Sequence, residues 1–168
     1  MISEEALRAA VAAIPDPELP MLTIADLGIL RGLSVRDSRV EVEVTPTYSG
    51  CPALEAIRTE IEAVLRDQGA VEVAVRVVLA PAWSTDWISE RGRRQLAAAG
   101  IAPPGPAARP RRPAVGGHLA LLRVRAAVTC PRCGSGATEE LSRFGSTACK
   151  SLHRCLSCAE PFEQFKAH

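Results

Sequence analysis

No stretch of the 168-residue chain approaches the run of roughly 20 apolar residues that a membrane span requires. The first ten residues, MISEEALRAA, lack the basic region of a secretory signal and carry early acids instead. The chain also lacks an internal repeat. Its net charge is only +1, from 20 Lys+Arg against 19 Asp+Glu, and 47% of its residues are hydrophobic, so a wholly disordered chain is excluded. These absences predict a cytoplasmic, globular protein with no membrane partner. In the cytosol thiols stay reduced, so the six cysteines read as metal-binding or reactive sites rather than as disulfides.

The charge is unevenly spread. Residues 1–100 carry 10 Arg and 15 Asp+Glu, whereas residues 101–118 carry 3 Arg and no acid. Residues 119–168 hold 7 Lys+Arg against 4 Glu, together with five of the six cysteines. In IAPPGPAARPRRPAVGGH, residues 101–118, five of eighteen are Pro and three are Gly, a composition that cannot hold a helix or a central strand. The chain therefore divides into an acidic body (1–100), a Pro/Arg-rich linker (101–118) and a Cys-rich module (119–168).

In the body, Ser3-Glu4-Glu5 opens a helix with Leu7, Ala10, Val11 and Ile14 on one stripe, stopped by Pro15 and Pro17. A loop, DPELPMLT, follows. Thr23 and Asp26 form a capping-box pair for a short turn. Strands are expected at 29–36 and at 40–45, where Val40, Val42 and Val44 alternate, with a hairpin at Asp37-Ser38-Arg39. Residues 52–68 make the clearest helix, ended by Gly69, and 71–79 read as a central apolar strand. A last helix is expected near 86–99. This predicts an α+β body, with helices packed on one side of a three-stranded mixed sheet.

Two places carry chemistry. Cys51, in TPTYSGCPALE, stands at a helix start, where free amides and the helix dipole favour a thiolate. Gly50 allows a tight turn, and Thr47 and Ser49 offer hydroxyls. On spacing alone Cys51 is either a small residue buried at that turn, a reactive thiol or a ligand to a transient metal. The Asp16-Pro17-Glu18 loop is functional only if the fold brings it to Cys51. The second place is Cys130-Pro-Arg-Cys133 with Cys155-Leu-Ser-Cys158, two C-x-x-C knuckles whose sulfurs converge on one metal. Zn²⁺ is the leading occupant, although four thiolates also suit iron or an Fe–S cluster. Metal binding should supply most of the folding energy of so small a module, expected as a ribbon with strands near 122–129, 138–144 and 161–166. Cys149 is either packed or a fifth thiolate near that site. His153 reads as a packing or surface residue, and His118 and His168 carry no signal.

These strings together resemble a known family. DPELPMLTIADLGILR, TPTYSGCPA, LAPAWSTDWISERGRRQL with GIAPP, CPRCGS, FGSTACKSLHRC and CAEPFEQFK are similar to the D subunits of the ring-1,2-phenylacetyl-CoA epoxidase system. The body alone is similar to the SufT-like iron–sulfur assembly domain, with its DPE loop and Gly-Cys-Pro turn. The resemblance implies a place beside a soluble multicomponent di-iron monooxygenase, whose reductase carries flavin and a [2Fe–2S] centre, in aerobic phenylacetate breakdown. It implies a maturation role rather than catalysis. It places the functional thiol on Cys51, the acidic loop on Asp16 and Glu18, and a Thr-rich approach on Thr45 and Thr47. The ribbon ligands fall on Cys130, Cys133, Cys155 and Cys158.

Three functions are therefore weighed. In the first, Cys51 takes an Fe–S cluster or iron transiently for the reductase or the di-iron subunit, and the zinc ribbon docks the partner. The second is a structural or electron-transfer subunit with an Fe–S cluster in the C-terminal module. The third, a nucleic-acid binder, conflicts with the acidic body, because phosphate contacts need a continuous basic face. Exposed sheet edges in so small a domain leave a homodimer open.

Overall fold

A computed structural model describes residues 3–36, 39–48, 50–105 and 128–167. Most of the Pro/Arg-rich segment, the first expected ribbon strand up to residue 127, and Asp37, Ser38, Ser49, His118 and His168 lie outside the described residues.

Helix α1, Glu4–Ala12, starts where Ser3 Oγ accepts the Ala6 amide at 3.1 Å, and it buries Leu7 and Val11. Strands β1 (Leu30–Arg36) and β2 (Arg39–Val44) form the antiparallel hairpin, with Arg36 opposite Arg39. Helix α2, Ala53–Asp67, turns Ala53, Ile57, Ile61 and Leu65 inward, at the spacing expected of a helix packed on one face. Strand β3, Glu72–Val77, then pairs parallel to β2. The first sheet thus has the order β1-β2-β3 and is mixed, with α1 and α2 packed against it.

The central strand is therefore β2, not the 71–79 segment. The crossover through α2 carries β3 to the sheet edge, leaving Val71 85% exposed and Leu79 59% exposed. Apolar composition alone mimics a central strand, and only the topology separates the two cases. On the solvent face, Arg39–Glu72 at 3.0 Å and Arg76–Glu41 at 2.8 Å bridge β2 to β3.

The Thr23–Asp26 cap forms: the Asp26 amide donates to Thr23 Oγ1 at 3.1 Å. Asp26 also ties the turn to the end of the body. It accepts from Ser89 Oγ at 2.6 Å and from Arg91 at 2.9 and 2.7 Å. Ser89 in turn caps helix α3, Glu90–Ala98, which follows a 3-10 turn at Thr85–Trp87. The same approach demands Gly28. Its φ is +68°, and a Cβ there would lie 2.5 Å from Trp87 Cβ.

The second sheet has the order β4-β7-β6-β5. It is built from β5 (Thr138–Ser142), β6 (Lys150–Cys155) and β7 (Pro161–Phe165), all antiparallel neighbours. Strand β6, its longest, was not expected, because KSLHRC mixes polar and apolar positions without alternation. Strand β4 is Ile101–Ala102, which leaves α3 and pairs parallel to β7. The first two residues of the expected linker are thus buried in the ribbon's sheet.

The two modules share a core. Phe165 is fully buried in the same apolar cluster as Leu7, Ile57 and Leu96, with its ring 5.9 Å from that of Trp83. Trp83 is fixed from the other side by its Nε1–H, which donates to the Leu27 carbonyl at 2.8 Å. Among the described residues no helix is long and apolar enough to cross a membrane.

Candidate functional sites in the body and the ribbon

The acidic loop is held rigidly. Ile24 N–H donates to Ile14 O at 2.9 Å, Asp16 N–H donates to Leu22 O at 2.8 Å, and Leu19 and Leu22 are buried beneath. Asp16 Oδ1 accepts from the amides of Glu18 at 2.9 Å and Leu19 at 2.8 Å, the Asx-turn arrangement. Burial pushes the Asp16 carboxyl above its ordinary range, against the pull of those two amides.

Cys51 is half-buried, one residue before the Pro52 cap of α2. The structure brings Asp16, Glu18 and Thr47 to it. Thr47 acts on the thiol to lower its pKa, and the two carboxylates act on it electrostatically to raise it. The helix start was expected to lower the Cys51 pKa. It is raised instead, chiefly by burial and further by Glu18 and Asp16, which outweigh the Ala53 amide and Thr47. A helix-end dipole counts for less than desolvation beside two acids. Thr45 is buried, and its amide donates to Ile29 O at 2.9 Å. With Thr47, Tyr48, Leu79 and Trp83 it lines an open groove of about 450 Å³.

Two neighbours were not foreseen. Tyr48 lies close enough for Cys51, Glu18 and Cys149 to push its phenol pKa up, after burial. Cys149 belongs to the ribbon, yet its Sγ lies 3.8 Å from Glu18 Oε2. It is not a fifth thiolate at the knuckles. No local signal marks a contact between residues 131 positions apart.

The knuckles converge as their spacing requires. Cys130, Cys133, Cys155 and Cys158 place their sulfurs within 4.8 Å of one another. Cys130 Sγ lies 3.9 Å from Cys158 Sγ, and Cys133 Sγ lies 3.5 Å from Cys155 Sγ. Metal–sulfur bonds of about 2.3 Å in a tetrahedron put sulfurs about 3.8 Å apart, so the set fits one four-coordinate ion. The Cys158 amide, 3.5 Å from Cys155 Sγ, leads the groups that pull Cys155 down to about 6, so this sulfur is readily a thiolate. His153 is buried, stacked on Phe162 and 3.0 Å from Ser151 Oγ, and is a packing residue.

The fold and the two thiol sites define a class, an assembly-type α+β domain joined to a metal-binding ribbon, and comparison with known proteins agrees. Residues 4–77 match the model of the iron–sulfur cluster assembly protein family, and residues 116–166 match that of the PaaD zinc beta ribbon domain. Over 158 residues the chain is 43% identical to the Escherichia coli (strain K12) protein named as the D component of a "Putative 1,2-phenylacetyl-CoA epoxidase", covering 94% of this chain and 89% of that one. The chain belongs to this family of epoxidase D components. Among solved structures, a domain of unknown function, DUF59, from Bacillus anthracis is 29% identical with a TM-score of 0.51, covering 55% of this chain and 90% of its own. A conserved hypothetical protein from Thermotoga maritima is 25% identical with a TM-score of 0.48, covering 56% of this chain and 94% of its own.

Proposed function

We propose that the protein is a maturation factor of the phenylacetyl-CoA epoxidase system, loading an Fe–S cluster or iron into another subunit, either the reductase or the di-iron subunit. The observation that carries this reading is the Cys51 site. A half-buried thiol stands beside Asp16, Glu18 and Thr47 in the domain that matches the iron–sulfur assembly model. One protein thiolate leaves the other positions of a metal centre open, so a recipient's ligands can displace it. The four ribbon cysteines fill a tetrahedron and offer no such opening, which suits a structural Zn²⁺. Sulfurs 3.5 and 3.9 Å apart enclose a single ion more closely than the several irons of a cluster. The ribbon then serves as scaffold and docking surface. Residue by residue, Cys51 is the transfer thiol, Asp16 and Glu18 set its field, Thr47 lowers its pKa, and Thr45 supports the groove beside it. The outer edge of β3, with exposed Val77 in the strand and exposed Val71 and Leu79 flanking it, is the surface we assign to a homodimer.

The test separates this reading from a stoichiometric electron-transfer or structural subunit. Fully metallated partners are mixed without this protein and given phenylacetyl-CoA. Full turnover is the expected result. Partners that stay inactive until the protein is added at equal stoichiometry, with no iron or sulfide source, would overturn the maturation reading.

A further inference from the structure

Cys149 has the position of a ligand rather than of a filler. It closes the turn between β5 and β6, where the Lys166 amide donates to its carbonyl at 2.9 Å. That turn aims its side chain out of the ribbon and into the body. There Cys149 is 4% exposed and joins the body's apolar cluster, against which Cys51 and Tyr48 also pack. Its sulfur meets Glu18 Oε2 at 3.8 Å and Thr147 Oγ1 at 3.0 Å. Cys149 thus touches the acidic loop whose carboxylates also act on Cys51. After burial, Glu18 and Asp16 raise both thiols electrostatically, and at Cys149 Thr147 and the Lys150 charge oppose them.

As plain packing this arrangement is costly. A buried small residue needs no carboxylate beside it, and placing buried Asp16 and half-buried Glu18 beside two thiols is unfavourable. Among the described residues neither Asp16 nor Glu18 takes part in an ion pair. The cation beside Cys149, Lys150, lowers that thiol but is ion-paired with Glu163 at 2.8 Å rather than with Asp16 or Glu18. Two thiols that pack against one apolar cluster and feel the same two carboxylates are what a soft, positively charged guest would neutralise. Among the described residues no group of three donors other than the ribbon's four is drawn tightly together.

We propose that Cys149 is a second thiolate donor to the centre held at Cys51, with Glu18 as the carboxylate they share, so that the ribbon completes the assembly domain's site. This rests on the maturation reading of Cys51. On binding ferrous iron, each thiol gives its proton to water and forms one sulfur–iron bond; no electron moves. The cargo is held between two modules of one chain, and a small opening of the seam removes one ligand and lowers the affinity for release.

The experiment uses the full chain with Zn²⁺ in the ribbon, titrated without oxygen with ferrous iron alone and then with iron plus sulfide. Iron affinity, thiolate-to-iron absorption and zinc content are read for the unaltered protein, Cys51→Ser and Cys149→Ser. Each substitution is expected to weaken iron binding at least tenfold and to shift the absorption band, with zinc unchanged. X-ray absorption on the unaltered protein loaded with iron alone counts the sulfurs directly and needs no variant: two support the proposal and one overturns it. If Cys149→Ser binds iron as the unaltered protein does while Cys51→Ser does not, the proposal fails and the maturation reading stands. If the unaltered protein takes up no iron beyond the ribbon's own metal, both fall together.

Discussion

The two thiol sites of this chain are built on opposite principles. In the ribbon, four sulfurs from two tight turns face each other within 4.8 Å. In the body, Cys51 faces carboxylates and a hydroxyl, and the nearby thiol, Cys149, arrives from the other module. The ribbon site is encoded locally, each half within four residues, and is closed once filled. The body site is assembled from distant segments and left open. Under the proposed function the two designs divide the work: a complete ligand set holds a metal permanently, and an incomplete one lets its cargo exchange.

The largest effect should come from breaking the closed set. Cys155→Ser, or a strong chelator, is expected to unfold the ribbon, because metal binding is its main source of folding energy. The shared core makes the damage spread. Trp83, packed on Phe165, becomes solvated, so its fluorescence shifts to the red and hydrogen exchange rises in the body as well as the ribbon. Amide protection of the body unchanged after metal removal would show that the modules are independent.

Phe165→Ala tests the same coupling without touching a ligand. A fully buried aromatic removed from a core costs about 3–5 kcal/mol, and here the loss should lower the midpoint of a single denaturant transition seen by probes in both modules. Two separated transitions would break the picture of one core.

A smaller effect distinguishes the sites chemically. With the ribbon metallated, alkylation of Cys51 should be slow at neutral pH and still climbing above pH 9, since burial, Glu18 and Asp16 raise its pKa. Glu18→Gln removes one of those charges and should move the curve to lower pH. A plateau below pH 8 in the unaltered protein would contradict the electrostatics described for the loop.

The smallest effect concerns Asp26. Although burial opposes ionisation, Arg91, Ser89 and Thr23 hold its carboxyl down to about 2, from an ordinary 3.8. Its contribution to stability is therefore complete above pH 4 and is lost as the pH falls through 2. Asp26→Asn should cost about 2 kcal/mol at neutral pH and flatten the acid limb of the stability curve in that window.

Local signals carried the sequence reading far. Ser3, the Thr23–Asp26 cap, the Val40-Val42-Val44 alternation, the α2 stripe and both knuckles are visible within a few residues of themselves. Non-local facts were not legible. The position of β3 at the sheet edge depends on a crossover, not on its apolar residues. The pairing of Ile101 with Glu163 and the contact of Cys149 with Glu18 join segments far apart in the chain. The direction of the Cys51 shift was misread because helix position is written in the sequence while burial beside Asp16 and Glu18 is not.

Strand β4 also has a consequence for the order of synthesis. It leaves the ribosome directly after the body, but its partner β7 lies in the last residues of the chain. Domains generally fold as they are made, N-terminal first. Here the body emerges with one side of Trp83 uncovered and Ile101 unpaired until β7, with Glu163 and Phe165, follows. Completion of the body's core therefore waits for the final strand of the ribbon. A chain halted before residue 161 would display an apolar face where the finished protein has its seam, a state that chaperones and proteases recognise.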